Sequence, residues 1–416
     1  MLIELPISKS IANRLLILQA IHGDDLMVVP SDMPDDVQLL HRALTTLKNG
    51  YRVTGSGYQK STDSEASYST HSGRPIAAPA ASNNRIAEVS LGNCGTAMRF
   101  LTAYCAQLEG QTTILDGVAR MHHRPIGQLV DALRSIGADI EYLGKEGFPP
   151  LRITGKSLDK KQPIMLNHPQ STQFVSALLL IGANVQTGST SPYISLTREI
   201  IKKYQYPSRS QRVECERSVV ENNVVGVVDL DNLECDWSSA AFWYEYVAIH
   251  GGEITLPGLS RDSLQGDKVV ADIFAHLGVR TIYTPEGVRI SGNGYWESIT
   301  NSEASNSPHS GRPIAAPAAS SCKIFEQDFA TCPDLYPAVA LTCERLGVTL
   351  HATGVESLPW KESDRLRAVA EHRTDADHRM AMALLIAGYE VEDTACISKS
   401  YPQFIEQWNN VIRSHA

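Results

Sequence analysis

Leu129-Val130-Asp131-Ala132-Leu133-Arg134-Ser135-Ile136-Gly137, followed by Ile140-Glu141-Tyr142 and Leu151-Arg152-Ile153, is the stretch that decides the fold. Its first part repeats apolar residues at the three-to-four spacing of a helix face and stops at a glycine, a frequent helix terminator. The two later pieces are short and alternate apolar with polar residues, as half-buried strands do. The same unit returns elsewhere. Asp36 to Leu47 is followed by Tyr51-Arg52-Val53, and Val269 to Gly278 by Thr281-Ile282-Tyr283 and Val288-Arg289-Ile290. Copies in both halves predict an α/β (α+β) architecture built by internal duplication. Their irregular spacing excludes a solenoid.

A chain of 416 residues with 43% hydrophobic content can bury more than one core, so two domains are expected. The net charge of -9 argues against a nucleic-acid binder. It also means that an anionic ligand must be drawn in by a local basic cluster. The eight cysteines form no CxxC pair. The start, Met1-Leu2-Ile3-Glu4-Leu5-Pro6, has neither a basic segment nor a long apolar run. These features predict a reduced, cytoplasmic protein with free thiols and no membrane span.

Two pieces put acid, base and guanidinium side by side at expected helix starts: Lys361-Glu362-Ser363-Asp364-Arg365 and Asp377-His378-Arg379-Met380-Ala381-Met382. Free N–H groups at a helix start favour anions, and arginine binds phosphate or carboxylate bidentately. Anion binding alone does not need Glu362 or Asp364. A carboxylate among cations points to proton transfer.

Further helix starts carry similar groups. Ser8-Lys9-Ser10 opens a helix, with Arg14 one turn along on the face of Ser10. Gly92-Asn93-Cys94-Gly95-Thr96 follows an expected strand over 86–91 and opens another. Its glycines let backbone N–H groups approach a ligand. Cys94 is placed as a nucleophile would be, but no base accompanies it. In Arg120-Met121-His122-His123-Arg124-Pro125 the adjacent histidines face different ways, so Arg124 is the candidate anion clamp and no metal site is expected. Ser171-Thr172-Gln173 offers two hydroxyls and an amide. Asp236 reads as an N-cap for the apolar helix over 240–249. Pro333-Asp334 precedes a helix over 335–346, and Lys399 follows an expected strand at 395–397.

In order, these motifs resemble those of the enolpyruvyl transferase family, and within it the EPSP synthases (3-phosphoshikimate 1-carboxyvinyltransferases). The matching pieces are Lys9-Ser10-x-x-Asn13-Arg14, Gly92-Asn93-x-Gly95-Thr96-Ala97-Met98-Arg99, Arg120-Met121-x-x-Arg124-Pro125 and Ser171-x-Gln173-Phe174. Pro192-Tyr193-Ile194, Asp236-x-Ser238-Ser239-Ala240, Pro333-Asp334, the two pieces at 361–365 and 377–382, and Lys399 before Ser400-Tyr401-Pro402 continue the series. The resemblance implies two similar domains, each of three helix-and-sheet units, with a cleft between them. It sets one domain at 9–233 and the other at 1–8 and 234–416.

The reaction it implies is a transfer of the enolpyruvyl group of phosphoenolpyruvate to the 5-hydroxyl of shikimate 3-phosphate, in the shikimate pathway to chorismate and the aromatic amino acids. The enzyme would be a monomer without metal or organic cofactor. Ser10, Arg14, Ser171, Thr172, Gln173, Tyr193, Asp334 and Lys361 resemble the shikimate-phosphate ligands. Lys9, Gly95, Arg124, Arg365, Arg379 and Lys399 resemble the phosphoenolpyruvate ligands, and Asn93 joins the substrate-binding set. Asp334 and Glu362 resemble the acid/base pair, with Lys9 assisting. Cys94, Phe100, Thr172 and Leu358-Pro359-Trp360 depart from the usual family residues. The UDP-N-acetylglucosamine enolpyruvyl transferases share the fold but rely on a loop cysteine, which the region of Arg120 to Arg124 lacks. A non-catalytic binding protein on the scaffold is the other alternative, opposed by the intact Lys9, Asp334, Glu362 and Lys399.

One repeat is of another kind. His71-Ser72-Gly73-Arg74-Pro75-Ile76-Ala77-Ala78-Pro79-Ala80-Ala81-Ser82 recurs letter for letter at 309–320, each copy preceded by Ser-Glu-Ala-Ser. Such identity, beside halves that have otherwise diverged, indicates a recent insertion into one equivalent loop of each half. Ala, Pro and Ser without apolar period predict surface loops. Limited proteolysis should therefore cut within about 61–84 and 301–321 before elsewhere. Replacing either by a short Gly-Ser link should leave turnover within about twofold. Protease resistance together with lost activity on shortening would make the repeat a functional element.

Overall fold

A computed structural model of the chain describes residues 1–49, 51–54, 57–60, 68–69, 75–76, 85–204, 233–292 and 324–415. The deciding stretch folds as its pattern requires. The helix Gly127–Ser135 buries Leu129, Val130, Ala132 and Leu133, and the strands Asp139–Tyr142 and Leu151–Thr154 pair antiparallel behind it. Ile140 sits opposite Ile153, both buried, while Glu141 sits opposite Arg152 and ion-pairs with it at 2.6 Å on the outer face. Period-two alternation thus sends apolar residues inward and charges outward.

The chain forms two compact units, one of Met1–Leu15, Met27–Gln38 and Thr190–Ala416, the other of Leu16–Leu26 and Leu39–Ser189. In the second, a four-stranded sheet runs in the order Arg85–Ser90, Gln111–Asp116, Leu151–Thr154, Asp139–Tyr142. The first two strands are parallel and the others antiparallel. A parallel pair needs a crossover, which the helix Gly95–Ala106 supplies. In the first unit, Gly252–Pro257, Gly287–Gly292 and Arg280–Thr284 form an antiparallel sheet in that order, with the helix Val270–Ala275 preceding the hairpin. This is the duplicated unit read from the sequence. Gly287 is needed there, since its φ is 156° and a Cβ would lie 2.3 Å from the Leu256 carbonyl oxygen.

One expectation differs from what is seen. The strand expected at 395–397 is a 3-10 helix, Ala395–Lys399. The Asp393 carboxylate accepts from the Ala395 N–H at 2.9 Å, and this Asx turn starts the coil. The helix Pro192–Tyr204 packs within the unit that holds Thr190–Ala416. Arg14 Nε donates to Thr197 Oγ1 at 2.7 Å, and the Tyr193 hydroxyl donates to Asp267 at 2.9 Å. Of the two repeated inserts, only the paired strands Tyr68–Ser69 and Pro75–Ile76 are described, and the second copy lies outside the described residues.

The helix Trp237–His250 is apolar on all sides and buried along nearly its whole length, as that pattern demands. Asp236 caps it by accepting from the Ser239 N–H at 3.0 Å, the role read from the sequence. Glu245 lies in the middle of this helix, fully buried, and among the described residues neither carboxyl oxygen has a hydrogen-bond partner. Burial pushes its carboxyl well above the ordinary value of 4.5. Below about 4.5 the group is neutral whether folded or unfolded. Above it the unfolded chain ionises and the folded one does not, so stability falls as pH rises. Glu245→Gln should remove this slope, about 1.4 kcal/mol per pH unit at most. Chemical denaturation of both proteins between pH 4 and 8 checks it. Parallel pH profiles would show that Glu245 ionises in the folded protein.

Candidate active site

Within the unit holding Thr190–Ala416, the two sequence pieces first read as helix starts come together around one guanidinium. Asp377 caps the helix His378–Ile386, accepting from the Arg379 N–H at 3.0 Å. The same buried carboxylate accepts from Arg365 Nε at 2.8 Å and from the Ser363 hydroxyl at 3.1 Å. One acid thereby satisfies a helix end and fixes the arginine that opens the neighbouring helix, Arg365–Ala370. Arg365, itself fully buried, then reaches outward. Its Nη1 donates to Asp334 at 2.7 Å and its Nη2 to Glu362 at 3.0 Å.

The remaining groups close the network. Lys361 Nζ and Arg379 Nη2 donate to Asp334 at 3.2 and 3.1 Å, and Lys399 Nζ donates to the second oxygen of Glu362 at 3.2 Å. Asp334, Lys361, Glu362, Arg365, Arg379 and Lys399, all singled out in the sequence, therefore form one cluster. Lysines and arginines outnumber the acids Asp334, Glu362 and Asp377, so the cluster suits a further anion. Burial acting alone would raise the Asp334 carboxyl. Arg379, Lys361 and Arg365 outweigh it and hold the group well below the usual carboxylate range. Burial lowers the Lys361 ammonium, with Asp334 opposing.

His378, absent from the sequence-based set, is fully buried here, and among the described residues neither ring nitrogen has a hydrogen-bond partner. Burial, reinforced by Lys9, Arg379 and Lys399, pushes its pKa well below 6.5, so the ring is neutral.

At the start of the helix Lys9–His22, whose residues through Leu15 belong to the same unit, Lys9 ion-pairs with Asp36 at 3.3 Å. Arg14 donates to the Ser10 carbonyl at 2.7 Å, and burial lowers its pKa to about 10. Asp36 and Asp267 lie outside the sequence-based set because each reads locally as an ordinary helix-start or turn acid. Only their distant partners give them away.

The other unit holds its own set. Arg124 Nη1 donates to the Asn93 carbonyl at 2.9 Å and to its side-chain oxygen at 3.3 Å. A Cβ at Gly95 would lie 2.4 Å from Arg124 Nη2, so glycine there is what lets the guanidinium sit over the helix start. Cys94 is buried, and its sulfur accepts from the Ala97 N–H at 3.4 Å, serving as a helix cap. Ser171 caps the helix Thr172–Leu180, accepting from the Gln173 N–H at 3.3 Å. Arg99 donates to the Gln173 side-chain oxygen at 2.5 Å, and Gln173 Nε2 donates to Thr96 at 2.9 Å. This fixes which end of the amide faces each neighbour, with Thr172 beside it at the helix start.

Among the described residues, no group of three or more His, Cys, Asp and Glu side chains is arranged to hold a metal ion, and no helix is long and apolar enough to cross a membrane.

The family model for EPSP synthase (3-phosphoshikimate 1-carboxyvinyltransferase) matches residues 2–372 and 368–408. A 3-phosphoshikimate 1-carboxyvinyltransferase of Bacteroides fragilis strain YCH46 is 32% identical over 98% of this chain and 94% of that protein. One of Colwellia psychrerythraea is 28% identical over 97% of this chain and 95% of that protein. A solved EPSP synthase structure from Acinetobacter baumannii superposes with a TM-score of 0.58 at 20% identity, covering 99% of this chain and 95% of that one, and so shares the fold. The acids, cations and helix starts described above lie on a chain that belongs to the EPSP synthase (3-phosphoshikimate 1-carboxyvinyltransferase) family.

Proposed function

We propose that this protein transfers the enolpyruvyl group of phosphoenolpyruvate to the 5-hydroxyl of shikimate 3-phosphate, releasing phosphate. The observation that carries this reading is the Asp334–Arg365–Glu362 bridge, two carboxylates on one buried guanidinium with Lys361, Arg379 and Lys399 around them. The reaction needs one proton removed from the acceptor hydroxyl and one added to the enol methylene. Asp334 takes the first role and Glu362 the second, with Lys9 assisting. A tetrahedral intermediate then expels phosphate. Crowded cations hold two anionic substrates together that would repel each other in water.

Asp334 is a weak base while its cations are turned on it. In this reading Arg365, Arg379 and Lys399 bind phosphoenolpyruvate together with Lys9, Gly95 and Arg124. A substrate anion beside Arg365 and Arg379 offsets their field at Asp334 and raises its basicity where a proton must be accepted. Ser10, Arg14, Ser171, Thr172, Gln173, Tyr193 and Lys361 bind shikimate 3-phosphate, and Asn93 supports Arg124. The protein acts as a cytoplasmic monomer on these small molecules, apart from nucleic acid and membrane, without metal or organic cofactor.

Glu362→Gln should leave both KM values nearly unchanged and lower kcat by on the order of 10² or more. Steady-state phosphate release measures this, and an unchanged kcat would remove Glu362 from the proton transfers. Arg124→Ala should raise the KM for phosphoenolpyruvate by about ten- to a hundredfold, the loss of a charged hydrogen bond of about 1.5–3 kcal/mol. Varying each substrate separately decides it. A rise confined to shikimate 3-phosphate would reassign the arginine.

A further inference from the structure

Tyr193 is held at both ends. Its carbonyl accepts from the Thr197 hydroxyl at 2.7 Å and from Arg14 Nη2 at 3.4 Å, and its hydroxyl donates to Asp267 Oδ1 at 2.9 Å. Asp267 is 1% exposed. Its second oxygen accepts a short hydrogen bond from the Ser238 hydroxyl, at the start of the helix Trp237–His250.

The turn that carries Asp267 is shaped for this contact. A Cβ on Gly266 would come within 3.0 Å of Pro192 Cβ and 3.4 Å of the Tyr193 ring, so a bare glycine sets the distance at which the ring packs. Gln265 pins the turn from behind. Its side-chain oxygen accepts from the Ser8 hydroxyl at 2.9 Å and the Trp237 N–H at 3.2 Å, and its Nε2 donates to the Cys235 carbonyl at 2.7 Å. Three successive residues thus supply an anchor for the turn, a clearance for the Tyr193 ring and an acceptor for its hydroxyl.

We propose that Asp267, set in the Gln265-Gly266-Asp267 turn, is a positioning residue that fixes the Tyr193 hydroxyl for shikimate 3-phosphate. This rests on the reading of Tyr193 as a ligand of that substrate. With Asp267 ionised, the phenol proton is committed to the carboxylate, and the oxygen is presented to the ligand in a single orientation. Burial pushes the Asp267 carboxyl up to about 6, with Asp334 adding to the rise, while Arg379 and the hydroxyls of Ser238 and Tyr193 oppose it. Cys332, its thiol pushed up to about 12 chiefly by burial, also feels Asp267. The anchor therefore weakens as pH falls through about 6.

Steady-state kinetics of Asp267→Asn, Tyr193→Phe and the double variant test this. Asp267→Asn and Tyr193→Phe should each raise the KM for shikimate 3-phosphate by about tenfold, with kcat and the KM for phosphoenolpyruvate within about threefold. The double variant should be no worse than the poorer single one, since both remove the same contact. The ratio of KM between Tyr193→Phe and the unaltered enzyme should shrink below pH 6, a change that general loosening of the fold would not produce. Should Asp267→Asn fail to fold, Gly266→Ala and this pH ratio carry the test, and Gly266→Ala should raise the same KM alone. A rise in Tyr193→Phe without one in Asp267→Asn, additive effects, or a ratio flat with pH would overturn the proposal. No change in Tyr193→Phe would overturn it by removing Tyr193 from the substrate site, a distinct outcome.

Discussion

Arg365 is the constraint on which the described site depends. A fully buried guanidinium is costly unless its donors are met by carboxylates of good geometry, and this one meets Asp377, Asp334 and Glu362. Those carboxylates in turn would be expensive to bury without Lys361, Arg379 and Lys399. The cluster is therefore mutually obligate. Removing one member strands the others, which is why so polar an assembly keeps a fixed geometry between the apolar helices behind it. Asp377 is the hinge of this arrangement, because the oxygens that cap the helix His378–Ile386 also hold Arg365.

Fold and chemistry meet at the helix starts. Each element that carries a site residue is anchored by an apolar face, and the polar end is what remains. Met380, Met382 and Leu384 are fully buried just beyond Arg379, and Phe174 and Leu178 just beyond Gln173. The packing that stabilises the helices thus also fixes where their N-terminal side chains point.

Much of this was legible in the sequence because it is local. The helix over 127–135, its two strands and their duplicate near 270–292 follow from apolar period and glycine placement. The motif pieces at 361–365 and 377–379 announced an anion site because cations and acids are adjacent in the chain. What escaped was non-local. Asp267 takes its meaning from Tyr193 and Ser238, and Asp36 from Lys9. The strand expected at 395–397 failed because three small or apolar residues carry no period, and the acceptor at Asp393 decided for a 3-10 turn. The partners of Pro192–Tyr204, Arg14 and Asp267, are likewise distant in sequence.

The most direct measurement is phosphate release by the purified protein given shikimate 3-phosphate and phosphoenolpyruvate, with the product identified by mass. The account predicts one phosphate released for each enolpyruvyl ether formed, and none when UDP-N-acetylglucosamine replaces shikimate 3-phosphate. No phosphate release from the first pair, or release that needs the nucleotide sugar, would contradict it.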